Sequence, residues 1–229
     1  MSTRILALVG SLRAGSYNRQ LAEAAVKHAP DGTDVQIFEG LAAVPFYNED
    51  LDRPGEVPGP AQALRDAVQR ADALLLVTPE YNGTIPAALK NAIDWTSLPF
   101  HAGAIFAKLV AVVGASSGRY GGLWAREDTR QTARIAGARV LDDIALSVPG
   151  AAERFATTHP ADDPEIATAM PQILARLAAA ARATSDAAPQ SHDPPNARHE
   201  PILVAGTTHM SDQSQHASAI ADHVARIAS

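Results

Sequence analysis

Apolar runs alternate with segments of helical spacing along most of this chain. The run Ile5-Leu-Ala-Leu-Val9 is followed by a polar Gly/Ser stretch and then by an Ala-rich segment. The pattern predicts a strand over 4–9, a loop over 10–16 and a helix over 17–29. Pro30-Asp-Gly32 ends that helix by removing a donor and supplying turn residues. Asp34-Val-Gln-Ile-Phe38 alternates polar and apolar and reads as a second strand. Ala73-Leu-Leu-Leu-Val77 and Leu109-Val-Ala-Val-Val113 are continuously apolar, as expected of strands covered on both faces. Helices are predicted over 60–71, 86–95, 123–137 and 163–182, with a fifth strand within 138–147. Pro86 suits the first turn of its helix, where a missing N–H costs nothing. Strands alternating with helices in this way mean an α/β fold with a parallel sheet. The connection over 39–60 carries Pro45, Pro54, Pro58 and Pro60. A connection that long in a compact domain is usually functional or mobile.

The loops over 10–16, 78–86 and 114–122 follow the first, third and fourth strands, so all three open on one edge of the sheet. Ligands of such sheets bind beyond the carboxyl ends of the strands. The first loop, Gly10-Ser-Leu-Arg-Ala-Gly-Ser16, leads directly into a helix. The first N–H groups of a helix lack intrahelical partners and point outward, at the positive end of the helix dipole. Gly10 and Gly15 allow close approach to an anion, Ser11, Ser16 and Asn18 add short donors, and Arg13 adds a permanent forked charge. G-x-x-x-x-G-K-[ST] fails because Ser16 stands where Lys is required, and G-x-G-x-x-G is absent. A monophosphate therefore fits better than a nucleoside triphosphate or the usual dinucleotide. The plainer alternative is a strand-to-helix turn capped by Ser16 or Asn18.

Composition narrows the class. The 229 residues suit one domain of about 150–200 residues plus an extension, or at most two small domains. A net charge of −6 leaves no basic field for nucleic acid, and no Lys/Arg block suggests a membrane surface. Without cysteine there is no disulfide frame, thiol nucleophile or thiolate metal site. No apolar run approaches 18 residues and no signal-peptide pattern is present, so a cytoplasmic location is expected. The organisation expected is a domain over 1–182, a low-complexity linker over 183–201 and a C-terminal extension over 202–229. His209, His216 and His223 recur every seven residues, but on a helix adjacent members would stand ~10 Å apart, too far for one metal ion. No metal is expected.

Gly10-Ser-Leu-Arg-Ala-Gly-Ser-Tyr-Asn-Arg19 and Pro79-Glu-Tyr-Asn-Gly-Thr-Ile-Pro-Ala-Ala-Leu-Lys-Asn-Ala-Ile-Asp-Trp95 resemble signature segments of the NADPH-dependent FMN reductases. That family of flavodoxin-like enzymes includes quinone, chromate and azo-dye reductases. The resemblance covers residues 3 to about 180. It implies a flavodoxin-like three-layer sandwich with a five-stranded parallel sheet in the order 2-1-3-4-5. It also implies non-covalent FMN, NADPH or NADH as cosubstrate, a small-molecule electron acceptor, and a homodimer or homotetramer.

By the same resemblance, Ser11, Arg13, Ser16 and Asn18 hold the FMN phosphate together with the N–H groups of residues 16–19, and Tyr17 belongs to the same cofactor site. Pro79, Glu80, Tyr81, Asn82 and Gly83 run along the isoalloxazine, their backbone mattering more than their side chains, and Ser116, Ser117 and Gly118 close the other side. The flavin N5 is the reactive centre, and no catalytic side chain is obligatory. Pro45-Phe-Tyr-Asn-Glu-Asp50 resembles a family segment near the subunit contact, and Lys90 and Asp94 pair within or between chains. Arg119 is either an NADPH-phosphate contact or a solvated loop residue. Trp95, Tyr120 and Trp124 are either flavin contacts or core and interface residues, and His101 is a minor candidate for substrate contact. A flavodoxin-type electron carrier or a flavin-bound regulatory module are the alternatives. The carrier pattern T-x-T-G-x-T is missing, and Arg13 stands in the phosphate loop.

Overall fold

The computed structural model describes residues 2–144 and 146–187. Strands β1 (Thr3–Val9), β2 (Thr33–Ile37), β3 (Ala73–Thr78), β4 (Leu109–Ala115), β5 (Arg139–Val140) and β6 (Leu146–Val148) form one sheet. The order is β2-β1-β3-β4-β5, all pairs are parallel, and β6 also lies on β4. The expected order therefore stands, with one correction: two short strands occupy the fifth position. β5 runs beside Leu109 and Val110, and β6 beside Val113 to Ala115. Between them Asp142 and Asp143 turn outward to ion pairs with Arg134 and Arg176. The Ile144 carbonyl accepts from the buried Arg130 guanidinium. Two adjacent carboxylates cannot continue a covered strand, so the chain leaves the ladder there and rejoins it.

The helices are α1 (Tyr17–Lys27), α2 (Gly59–Arg70), α3 (Ala87–Ser97), α4 (Leu123–Ile135), α5 (Ala151–Arg154) and α6 (Pro164–Ala187). Pro86 is the cap residue before α3. Helix α6 runs to Ala187, past the expected end at 182, so the first residues assigned to the linker are helical. The remainder of that linker and the extension, with His209, His216 and His223, lie outside the described residues.

Alternation along the strands divides the core into two. Ile5, Ala7, Leu75, Val77, Ala111 and Val113 face Leu21 of α1 and Leu174 and Leu177 of α6. Leu6, Leu8, Leu74, Leu76, Val110 and Val112 face Leu64 of α2, Leu89 and Ile93 of α3, and Ala133 of α4. Each fully buried leucine contributes roughly 1.5–3 kcal/mol over its exposed state.

The long connection before α2 is pinned rather than free. Trp95 is fully buried, and its Nε1 donates to the Pro45 carbonyl at 2.7 Å. Asn91 donates to the same carbonyl at 2.9 Å and accepts from the Tyr47 N–H at 2.8 Å. The Tyr47 ring meets Trp95 edge-on at 5.0 Å. Farther along, Arg65 donates twice to Asp52, at 2.7 Å each, and once to the Trp95 carbonyl. Those bonds hold the Asp52 carboxyl below the usual carboxylate range against the opposing effect of burial. Trp95 is thus a core residue that anchors the segment containing Pro45 to Asp50.

Candidate functional site

Three loops leave the carboxyl ends of β1, β3 and β4 side by side. The Gly10 N–H donates to the Val77 carbonyl at 2.8 Å. A Cβ on Gly10 would stand 2.6 Å from Cγ of Pro86 and 3.1 Å from Cδ of Pro79, so only glycine lets the first two loops touch. A cleft of about 240 Å³ opens between the loops. It takes in Ser11, Arg13, Ser16, Tyr17 and Asn18 from the first, Pro79, Glu80 and Tyr81 from the second, and Ala115, Ser116 and Ser117 from the third. Sequence reasoning missed Ala115. Of the residues expected in the site, Asn82, Gly83 and Gly118 do not line the cleft; all three are exposed.

The first loop presents donors. Ser16 caps α1, its Oγ accepting from the Arg19 N–H at 3.3 Å. The N–H groups of Tyr17 and Asn18, in the first turn, have no partner among the described residues. Arg13 is exposed and makes no ion pair among the described residues; its guanidinium carbon lies 5.3 Å from the Tyr17 ring centroid. Ser11 Oγ stands 3.3 Å from the Tyr81 hydroxyl, joining the first two loops across the cleft.

Asn18 requires a correction. Its side chain is 4% exposed and bound to β4: Nδ2 donates to the Ala115 carbonyl at 2.8 Å and Oδ1 accepts from the Ala115 N–H at 2.9 Å. The amide group brackets the first loop to the third. What Asn18 offers an anion is its backbone N–H, not its side chain.

Glu80 is the one acidic residue lining the cleft. Its carboxylate accepts from the Trp124 and Ala125 N–H groups at 3.1 and 3.2 Å, capping α4 from a neighbouring loop. The negative charge is thereby drawn to the positive end of a helix. The donors in the cleft (a guanidinium with no carboxylate partner among the described residues, hydroxyls and unpaired helix-terminal amides) match a dianionic phosphate ester, so the residues present fit FMN.

The remaining candidates separate cleanly. Lys90 pairs with Asp94 at 2.6 and 2.8 Å within the chain. His101 lies outside the cleft, its ring packed on Phe100 and Phe106. Tyr120 and Trp124 are about half exposed, their centroids 5.2 Å apart, and Arg119 lies 4.7 Å over Tyr120. Asp128 was not anticipated. From α4 it accepts from the Ile85 N–H at 3.2 Å and from the Thr84 hydroxyl.

A larger cleft of about 480 Å³ lies at the opposite edge of the sheet, lined by Arg4, Asp72 and Lys108 among others. Three of its charges are already engaged. The Lys108 ammonium donates to the Gln69 and Ala71 carbonyls at the end of α2, and Arg4 pairs with Asp72. Burial holds the Lys108 ammonium below its ordinary pKa.

The sequence profile of the family described as NADPH-dependent FMN reductase matches residues 3–153. A quinone reductase of Pseudomonas putida is 42% identical over 128 residues, which is 56% of this chain and 68% of that protein. An NAD(P)H-dependent FMN reductase of Pseudomonas aeruginosa is 40% identical over 129 residues, again 56% of this chain and 68% of the relative. Among solved structures, the flavoenzyme NAD(P)H:(acceptor) oxidoreductase FerB from Paracoccus denitrificans superposes with a TM-score of 0.70 at 26% identity, covering 79% of this chain and 98% of its own. An apo NADH:FMN oxidoreductase, at 19% identity and a TM-score of 0.58 over 78% of this chain and 90% of its own, shares the fold. With its loops, sheet order and sequence in agreement, the chain belongs to the NADPH-dependent FMN reductase family.

Proposed function

We propose that this protein is an FMN-dependent oxidoreductase that uses NAD(P)H to reduce small-molecule acceptors, with quinones first among them. The observation that carries this reading is the meeting of unpaired donors at the start of α1 with the two loops that follow β3 and β4. Arg13, the Tyr17 and Asn18 N–H groups and the Ser11 and Ser16 hydroxyls would hold the phosphate. FMN, when bound, supplies the redox chemistry, accepting hydride from a reduced nicotinamide and passing the reducing equivalents on. The chain contributes orientation and electrostatics. Backbone N–H groups within residues 80–83 would favour negative charge along the ring edge, an effect of the oxyanion-hole kind. Glu80 is assigned no base role, since hydride transfer needs orientation more than proton abstraction and its Oε2 serves as a cap on α4. Support for quinones comes from relatives named as quinone reductases.

Further elements of the reading have narrower support. Phe46, Phe100 and Ile135 are 78%, 74% and 73% exposed, and the last two line a groove with α3, which favours a homodimer or homotetramer. Among the described residues no helix is long and apolar enough to cross a membrane, and that agrees with action in the cytoplasm. The family match over residues 3–153, with Leu174 and Leu177 of α6 packed in the same core, favours a catalytic domain within 1–182 and an appended segment over 202–229.

The test is the absorption spectrum of the purified chain followed by anaerobic NADPH. A flavin spectrum that bleaches promptly, with parallel initial-rate lines when a quinone is varied, is expected. A colourless chain that takes up no FMN at micromolar concentration would refute the proposal.

A further inference from the structure

Residues Tyr81 to Thr84 form a tight hairpin at the mouth of the cleft. Thr84 N–H donates to the Tyr81 carbonyl at 3.2 Å, and the two residues form an antiparallel bridge. Asn82 and Gly83 at its tip both have positive φ, 53° and 74°. This is the Asn-Gly turn in which two successive left-handed residues reverse the chain. All four residues are exposed, so no burial fixes their place.

Two carboxylates fix it instead. Before the turn, Glu80 reaches α4 and accepts from the Trp124 and Ala125 N–H groups. After the turn, Asp128, one helical turn farther along α4, reaches back and accepts from the Ile85 N–H at 3.2 Å and the Thr84 hydroxyl. The loop caps the helix, and the helix caps the end of the loop. Thr129, beside Asp128, carries the same connection into the sheet. Its hydroxyl donates to the Ala125 carbonyl at 2.6 Å and stands 3.5 Å from the Thr78 hydroxyl, which donates to the Pro79 carbonyl.

We propose that Asp128 is a positioning residue for the flavin-edge loop: with Glu80 it clasps the Tyr81–Thr84 turn against α4 and sets where the backbone N–H groups of that turn point. This rests on the FMN reading. Asp128 does not line the cleft, so its effect passes through the loop. Without it the turn keeps its Glu80 anchor but loses the one on its far side. Its N–H groups then sample several orientations, and the charge they stabilise is stabilised less.

Asp128→Ala and Asp128→Asn are compared in the full chain. The amide oxygen of Asn can accept from the same two donors, so Asp128→Asn keeps the clasp. In flavin-free Asp128→Ala, amide exchange at Thr84 and Ile85 is expected to speed up by about tenfold, the scale of one lost bond to a charged acceptor. With FMN added, Asp128→Ala is expected to bind about tenfold more weakly and to show a shifted flavin midpoint potential and altered visible band shape, while Asp128→Asn stays near wild type. Unchanged exchange in Asp128→Ala overturns the clasp. Faster exchange with wild-type affinity, potential and spectrum overturns the positioning role. If the wild-type chain takes up no FMN, the cofactor reading fails and the positioning role with it, whereas the exchange measurement still decides whether Asp128 holds the turn.

Discussion

Replacing Asn18 separates a bracket within the fold from a ligand of phosphate. The side chain is buried and bonded at 2.8 and 2.9 Å to both backbone groups of Ala115, itself 2% exposed. Asn18→Ala removes both partners and leaves an N–H and a carbonyl behind. An unsatisfied buried group costs about 1–3 kcal/mol. Water entering from the adjacent cleft relieves part of this, so a loss of about 2–4 kcal/mol is expected. At roughly 2–4 °C per kcal/mol for a domain of this size, the melting temperature should fall by about 4–16 °C. Asn18→Asp keeps the acceptor for the Ala115 N–H but sets a second acceptor against the Ala115 carbonyl, and it should fall at least as far. The assay is urea unfolding of FMN-free protein beside FMN titration of the folded variants. If FMN-free stability is untouched and only FMN affinity drops, the side chain is a phosphate ligand and the bracket argument is refuted.

Arg13→Ala should leave FMN-free stability within ~0.5 kcal/mol, because the side chain is exposed and makes no ion pair among the described residues. FMN affinity, measured by fluorescence titration, should fall by about tenfold, the low end for a charge-assisted contact open to solvent. Asp52→Ala should cost about 3 kcal/mol in urea unfolding, because it strips a partner from a pair that is 14% and 12% exposed and frees the anchored connection. The sign of its pH dependence follows from its depressed carboxyl. Stability from the Asp52–Arg65 pair is fully present above the unfolded value near 3.9 and is lost as pH falls through the lower folded value. The gap between wild type and Asp52→Ala should therefore narrow on acidification below about pH 4, and a gap that holds steady to pH 2 would contradict the assignment.

What the sequence disclosed and what it concealed follow from the range over which each interaction acts. The five long helices and four main strands were legible because covering a face leaves a period in the residues that do it. Ala73 to Val77, buried on both sides, announces a central strand, and Tyr17 to Lys27 announces a helix behind a serine cap. The broken fifth strand was half legible. Asp142 and Asp143 mark where burial fails, but the return to β4 at Leu146 depends on contacts that no local pattern encodes.

In the site the division is sharper. Glycines and hydroxyls identified the loops, because close approach and anion binding demand particular residue types at one place in the chain. Polar pairing across the fold leaves no such mark. Asn18 and Ala115 are 97 positions apart, Thr84 and Asp128 are 44, and in each case a short polar side chain could equally have faced solvent or ligand. Asn18 was read as a ligand because an amide beside a phosphate loop suits that chemistry as well as it suits a bracket. Asp128 was passed over because an acid in mid-helix is ordinarily solvated. The same geometry explains why the first and second loops sit where they do. A cleft of exposed loops has little apolar area to hold its shape, so its shape must come from long-range hydrogen bonds to rigid neighbours. Here those neighbours are β4 for the first loop and α4 for the second. It follows that variants at the brackets should disturb the cleft more than variants at most residues lining it.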